Sequence, residues 1–321
     1  MKRLLFAIAF AAITLASCSD PVNDKIDIIL DTDANNELDD QHAIAYLLLN
    51  QDVFNIYGIT TNVTVGGGIK AQTDEVERVA AMVNQTVRIL PGATEDFETI
   101  LPDITEPDFD GYQSVDFIIE SARSHSAKNK LTVAPIGKLT NIALALAKAP
   151  DIADKLRIVW LGSNYPEPGE HNLVYDIQSM NYILDCPVDF EIVTVRYGQP
   201  SGTDAVKISI DEVRERIAGK GPRATSPVEG RHGGTFECFG DYSYDLFDHI
   251  RKDDLGRRSL FDLCTIAIIK NPSWCESHMI PAPIMVDEKF VERPDNSRMI
   301  TILENFDRDA IINDFIETLS K

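Results

Sequence analysis

The sequence predicts one α/β domain with a mainly parallel central sheet flanked by helices. Segments typical of buried strands alternate with segments typical of helices along most of the chain. Such alternation is typical of parallel sheets that carry helices on both faces. The chain of 321 residues shows no internal repeat and is long enough to bury one large core.

The predicted elements follow one another with few long connections. The helix 40–49 has its apolar residues on one face, and the helix 139–148 ends before Pro150. The segment 92–112 is rich in Pro, Asp and Thr, which predicts a long loop. Strands are predicted at 26–30, 54–61, 87–90, 131–136, 156–161 and 190–195, and further helices at 71–83 and 210–218.

The first residues are typical of a targeting segment. Lys2 and Arg3 precede an apolar stretch that is too short to span a bilayer comfortably. This stretch ends in small residues and Cys18, which resembles a bacterial lipobox, the site where a cysteine is lipidated. A secretory signal cut near Ser17 is the alternative.

These features divide the chain. We expect a signal peptide at 1–17, a short linker at 18–24 and a single domain at 25–321, lipid-anchored in a bacterial cell envelope and either periplasmic or surface-exposed. The anchor would be the only membrane contact. The segment 199–250 holds many Gly, Pro and Ser residues, and it predicts an insertion at the rim because its apolar content is too low for a separate core.

The net charge argues against a nucleic-acid-binding protein, and the cysteine spacing argues against a zinc site. The formal net charge of −21 argues against nucleic acid as a partner, because an acidic surface repels phosphates. The cysteines after Cys18 match no zinc motif, and their pairing stays open. They are Cys186, Cys238, Cys264 and Cys275.

An acidic cluster at 31–40 directly follows the first predicted strand. It places five carboxylates in ten residues: Asp31, Asp33, Glu37, Asp39 and Asp40. Carboxylates held this close repel one another unless a positive charge lies among them. Since open α/β sheets bind ligands at the carboxyl ends of their strands, the cluster indicates a site for a hard cation such as Ca²⁺.

Three other interpretations compete. The cluster could be a solvated acidic loop. An EF-hand would need Gly at Asn36, a bidentate Glu at His42 and a preceding helix, so it does not fit. A Mg²⁺-dependent phosphohydrolase would use Asp31 as nucleophile and Asp33 as acid/base.

With three further segments, the cluster makes the chain resemble the inosine-uridine-preferring nucleoside hydrolase family. That family opens with a strand ending in Asp-Thr-Asp followed by an Asp pair, which two extra residues, Asn35-Asn36, separate further in this chain. The segment 134–143 resembles the family's Gly-x-Leu-Thr-Asn turn, and a polar loop at 164–172 follows a strand. Phe261-Asp262 resembles a late His-Asp pair that opens a helix. The resemblance implies a divergent member with a Rossmann-like, nucleoside-hydrolase-like core, and the lipobox-like segment predicts that this member is lipid-anchored.

The resemblance also implies a ligand set. Asp33, Asp40, Asp262 and the backbone carbonyl of Ile136 would bind Ca²⁺, and Asp39 would bind the ribose 2′-hydroxyl. The ion would orient the sugar diol and the attacking water, with Asp33 as the general base that takes the proton of this water.

The implied reaction is hydrolysis of the N-glycosidic bond of ribonucleosides or related N-ribosides to ribose and free base. It passes through an oxocarbenium-like state that fixed carboxylates stabilise. Asn164, Glu170 and Asn172 would hold the 3′- and 5′-hydroxyls, while His171 between them is expected to point away.

One departure concerns the leaving base. Phe261 stands where many family members have a proton-donating histidine, so the base would stack on its ring instead. Tyr242, Tyr244 and His232 are the candidate proton donors.

Two functional alternatives stay open at this point. An envelope protein could bind ribose or a nucleoside through the metal with little turnover, or the chain could be the Mg²⁺-dependent phosphohydrolase described above. In the leading interpretation the partner is a small-molecule nucleoside or N-riboside used in nucleoside breakdown, and a homo-oligomer stays open.

Overall fold

The computed structural model describes residues 25–36, 38–65 and 67–321 of the chain. Their strands form one large sheet and three two-stranded sheets. In chain order the strands are β1 (Ile26–Thr32), β2 (Phe54–Thr61), β3 (Ile89–Leu90), β4 (Leu131–Pro135), β5 (Leu156–Leu161), β6 (Asp189–Val193), β7 (Lys207–Ser209), β8 (Val228–Glu229), β9 (Thr235–Phe236), β10 (Arg257–Ser259), β11 (Glu276–Pro281), β12 (Ile284–Val286), β13 (Lys289–Val291) and β14 (Met299–Glu304).

Helices cover both faces of the large sheet, and short 3₁₀ turns occur at Leu101–Asp103, Pro150–Lys155, Thr203–Ala205 and Pro272–Trp274. The helices are α1 (Leu38–Leu49), α2 (Gly68–Met82), α3 (Phe97–Ile100), α4 (Tyr112–Arg123), α5 (Thr140–Lys148), α6 (His171–Tyr175), α7 (Ile177–Asp185), α8 (Ile210–Arg216), α9 (Phe239–His249), α10 (Phe261–Lys270) and α11 (Arg308–Leu319).

The order of the large sheet creates a binding crevice. Its eight strands run β11-β14-β6-β5-β4-β1-β2-β3, and all neighbours are parallel except β11 and β14. From β1 the chain first builds β2 and β3 on one side and then β4, β5 and β6 on the other. The direction of winding therefore reverses between β1 and β4, the point where doubly wound sheets bind ligands. The prediction of a mainly parallel, Rossmann-like sheet is confirmed.

Strand β1 lies in the middle of the sheet and is buried on both faces. Ile28 and Leu30 belong to the hydrophobic core on one face, and Ile29 belongs to the core on the other. Successive side chains of a strand point to opposite faces, so a strand covered on both sides needs an apolar run. This is why the run before the acidic cluster predicted a buried strand.

The observed elements agree with the predicted ones in the interior and differ at the edge. Strands β2 and β5 have the predicted bounds, and α1 begins two residues earlier than expected. The antiparallel edge formed by β11 and β14 is not among the predicted elements. Most of β11 is exposed, so its sequence carries no buried-strand pattern.

The segment 199–250 corrects one expectation. Val206 and Phe247 are fully buried and belong to the main core. His42 of α1 lies within hydrogen-bonding distance of Ser243 in α9, at 2.7 Å. The predicted rim insertion is therefore wrong for much of this segment, because its short apolar pieces complete the common core rather than lie outside it.

The predicted signal peptide 1–17, the linker 18–24 and the lipidation site Cys18 lie outside the described residues. Within the residues that are described, no helix combines the length and apolar character that crossing a membrane requires. The cysteines after Cys18 are free thiols in the described part of the chain.

The buried position of α9 gives a stability test. Phe247→Ala should lower the free energy of unfolding by about 3–5 kcal/mol, because it leaves a cavity in the core. Leu255→Ala, at a side chain that is 69% exposed, should change it by less than about 0.5 kcal/mol. Urea denaturation measures both variants. Equal, small effects would contradict the placement of α9 in the core.

Candidate active site

Four aspartates meet in one cavity at the carboxyl end of β1. Asp33 follows the strand, Asp39 and Asp40 lie in the first turn of α1, and Asp262 lies in the first turn of α10. All four line a cavity of about 150 Å³ and are almost completely buried. The N-termini of α1 and α10 carry partial positive charge, which favours carboxylates at these positions.

Burial makes this set electrostatically costly. Burial raises the pKa of Asp39 to about 7 and raises the pKa of Asp33. The pKa values of Asp40 and Asp262 lie well above their ordinary range, first because of burial and then because of repulsion from the neighbouring aspartates. Four carboxylates cannot all be ionised here without a compensating positive charge.

The donor chemistry fits a hard cation. No three His, Cys, Asp or Glu side chains of the described residues already surround a common point that could hold an ion. Instead, the carboxyls of Asp39 and Asp262 lie close enough to share a hydrogen bond when one of them is protonated. Ile136 also lines the cavity, and its carbonyl accepts a hydrogen bond from Asn172 Nδ2 at 3.0 Å. A carbonyl oxygen has a second lone pair, so this bond does not exclude a ligand role.

Asp31 does not line the cavity. Its hydrogen bonds instead hold the acidic loop to neighbouring segments. Its Oδ1 accepts a hydrogen bond from Asn62, and its Oδ2 accepts from Thr60 and Asn141, all at 2.6–2.7 Å. Burial raises the pKa of Asp31 to about 6. A phosphohydrolase nucleophile needs an oxygen that faces the substrate, so this position contradicts the Asp31 mechanism.

The Gly-x-Leu-Thr-Asn turn comes very close to the acidic loop. A Cβ atom on Gly137 would lie 2.9 Å from Asp33 Oδ1 and 2.8 Å from Asn62 Nδ2. Asn141 donates to Asp31 and to the carbonyl of Thr61, and its Oδ1 accepts from the backbone of Ala93. The turn therefore fixes the positions of three neighbouring segments around the site.

The polar loop after β5 places two of its three predicted residues at the cavity. Glu170 and Asn172 line it, whereas Asn164 does not and donates to the carbonyl of Pro168 at 3.2 Å. Glu170 accepts hydrogen bonds from the backbone N–H groups of Ser163, Asn172 and Leu173 and so caps α6. Burial raises the pKa of Glu170 to about 7.

The two extra residues of the acidic loop have defined partners. Asn36 Nδ2 lies 3.1 Å from Asp33 Oδ2 and 2.9 Å from His171 Nε2. Arg231 donates to the carbonyls of Asn35 and Asn36 at 3.0 and 3.2 Å. His171 lines the cavity, so the expectation that it points away is wrong.

The three predicted proton donors lie elsewhere. Tyr242 is fully buried in the core and donates to Glu75 at 2.6 Å. The hydroxyl of Tyr244 accepts a hydrogen bond from Arg214, and His232 stacks on His249. None of the three lines the cavity, which corrects their assignment as donors to the leaving base.

The cavity that holds the aspartates also has an aromatic wall. Phe261 and Tyr197 contact each other edge to face with ring centroids 5.8 Å apart, and the guanidinium carbon of Arg258 lies 5.5 Å from the Phe261 centroid. The sequence analysis singled out Phe261 alone. Tyr197 follows the carboxyl end of β6, a position that could have indicated a site residue. Arg258 carries no comparable sequence signal.

This geometry can be compared with known proteins. A family model described as inosine-uridine preferring nucleoside hydrolase matches residues 28–313. The chain belongs to this family. It is therefore a member of a family of N-glycosyl hydrolases.

Individual relatives are distant. The chain is 25% identical to the non-specific ribonucleoside hydrolase RihC of Klebsiella pneumoniae over 273 residues, which cover 77% of this chain and 80% of that protein. It is 29% identical over 117 residues to an uncharacterized protein of Schizosaccharomyces pombe, a match that spans 34% of this chain and only 37% of the relative. A solved plant nucleoside hydrolase has the same fold, with a TM-score of 0.70 at 17% identity, covering 92% of this chain and 99% of that one.

The contacts of Asp31 predict a stability difference between two asparagines. Asn141→Ala should lower the free energy of unfolding by about 1–3 kcal/mol, because it removes hydrogen bonds from buried groups. Asn55 also donates to an aspartate, at 2.6 Å, but on the exposed surface, and Asn55→Ala should cost less than about 0.5 kcal/mol. Chemical denaturation of both variants measures the difference. A cost for Asn141→Ala as small as that for Asn55→Ala would contradict the supporting role of Asn141.

Proposed function

We propose that this protein hydrolyses the N-glycosidic bond of ribonucleosides or related N-ribosides, in a Ca²⁺-dependent reaction that releases ribose and free base. The observation that carries the proposal is the combination of two kinds of side chain in one cavity. Four buried aspartates and an edge-to-face pair of aromatic rings line it together. Such a cavity suits a ligand that joins a polar sugar to a flat heterocycle.

The acidic end suits the charge that develops on the sugar. Cleavage makes the ribose ring resemble an oxocarbenium ion, and fixed carboxylates stabilise that positive charge. Asp39 would bind the 2′-hydroxyl, and Asn172 and Glu170 would contact the remaining hydroxyls. Asn164 keeps a supporting place, because its Oδ1 accepts from the backbone N–H of Tyr197.

Asp33 is the proposed general base. Asn36 and Thr64 both donate to its Oδ2, which fixes the direction of the carboxylate. A carboxylate held in this way can take the proton of a water molecule that attacks the sugar.

Asp33, Asp40, Asp262 and the carbonyl of Ile136 would hold the ion. All four residues line the cavity, and oxygen donors are what Ca²⁺ prefers. When bound, the ion would offset the repulsion among the aspartates and orient the sugar diol and the water.

Asp33→Asn should lower kcat for ribose release by about 100-fold or more, because the amide cannot accept the proton. The control is Asp154→Asn, an exposed aspartate far along the chain, which should keep the wild-type rate. A reducing-sugar assay on inosine and uridine measures both. If the wild type binds ribose tightly but produces no ribose from inosine or uridine, the binding-protein alternative is favoured.

Removal of Ca²⁺ should abolish turnover, because the four aspartates then lose their compensating charge. Dialysis against a chelator followed by addition of Ca²⁺ or Mg²⁺ tests this, with the melting temperature followed in parallel. Activity that is restored by Ca²⁺ supports the proposal. Full activity in excess chelator would contradict it.

We also propose that the protein is anchored in the cell envelope through a lipid on Cys18. The support is the charged, apolar and small-residue pattern of the first residues. Cys18→Ser should move the protein from the membrane fraction to the soluble fraction, whereas Cys275→Ser should leave it in the membrane fraction. Fractionation with an antibody measures both. Equal membrane association of both variants would contradict the lipid anchor.

A further inference from the structure

A positively charged side chain, that of Arg258, lies at the aromatic wall of the cavity. Among the described residues that line the cavity, Arg258 is the only one with a permanent positive charge. It lies in β10, three residues before the start of α10, and its guanidinium carbon is 5.5 Å from the Phe261 ring centroid. Phe261 and Tyr197 complete this wall of the cavity.

The guanidinium of Arg258 keeps its positive charge although it is partly buried. Burial lowers the pKa of Arg258, and the negative charge of Asp262 opposes that shift. A guanidinium stays protonated in proteins even when partly buried. Contact with an aromatic face stabilises it further and holds its plane near the ring.

We propose that Arg258 stabilises the leaving base as an anion, in place of a residue that protonates it. The inference rests on the proposed nucleoside hydrolysis and deepens it. The base would stack against this wall and accept hydrogen bonds from the guanidinium.

Cleavage of the bond then needs no residue of the protein to protonate the leaving base. The bond between the anomeric carbon and the base nitrogen breaks, and its electron pair stays on the base. Water oxygen bonds to the anomeric carbon, one of its two protons goes to Asp33, and Asp33 then releases that proton to solvent. The anionic base pairs with Arg258 and takes a proton from solvent after release, so the products are ribose and neutral base.

The substrate class follows from this chemistry. Nucleosides whose free base is acidic and carries ring or exocyclic oxygen and nitrogen acceptors should react fastest. A base that leaves poorly as an anion should react slowly, since the wall offers positive charge but no proton. Rates across a set of nucleosides should therefore rise steeply with the acidity of the released base.

The decisive experiment compares two leaving groups. Arg258→Gln should lower kcat/KM for inosine and uridine by about 100-fold, the size of effect seen when one charge-stabilising donor is lost. 4-Nitrophenyl β-D-ribofuranoside releases a phenolate that needs no stabilisation, so its rate should change by less than about five-fold. Arg258→Lys keeps the charge and should recover part of the inosine rate.

The control is the neighbouring Arg257, which pairs with Asp253 at 3.0 Å and does not line the cavity. Arg257→Gln should leave both rates at the wild-type level. Equal loss on both substrates in Arg258→Gln, or no loss on either, overturns the proposal for Arg258. If the variants do not fold, the steep dependence of wild-type rates on base acidity supports it, and a flat dependence overturns it. Wild-type protein inactive on every riboside overturns the proposed function itself.

Discussion

The arrangement of this protein depends on burying a group of carboxyls at the centre of a sheet. Asp31, Asp33, Asp39, Asp40 and Asp262 are all almost fully removed from water. Burial raises the pKa of each of them, so the fold holds groups that repel one another beside its two apolar cores. The surrounding structure therefore has to keep them together by other means.

Hydrogen bonds from neighbouring segments supply much of that restraint. Asn141 and Thr60 tie Asp31 to the ends of adjacent parallel strands and the following turn. Thr32 donates to Asp40 at 2.5 Å, and Thr64 donates to Asp33. Because these donors come from the chain near β1, β2 and β4, the site depends on these three strands lying side by side.

The sequence predicted the acidic end of the site well. Its aspartates lie next to a strong buried-strand pattern, and the carboxyl ends of parallel strands meet by geometry alone. Asp33, Asp39, Asp40, Ile136 and Asp262 therefore come together in one cavity as expected.

The other residues of the site were harder to predict. Side-chain direction in a loop depends on single backbone angles, such as φ 48° at Arg196 directly before Tyr197. His171 lines the cavity and contacts Asn36 of the lengthened loop, across 135 residues of sequence. The assignment of Tyr242 failed because its segment, taken for a rim insertion, packs into the core.

The hydrogen bonds from Arg231 to the lengthened acidic loop join two parts of the chain that are far apart in sequence. Arg231 binds the carbonyls of Asn35 and Asn36 from 195 or more residues away. Deleting the two asparagines would leave this cation without those carbonyls, and losing the arginine would release the loop. Loop length and a basic residue at the distant position should thus vary together among relatives, and that pairing would mark out a branch of the family from sequence alone.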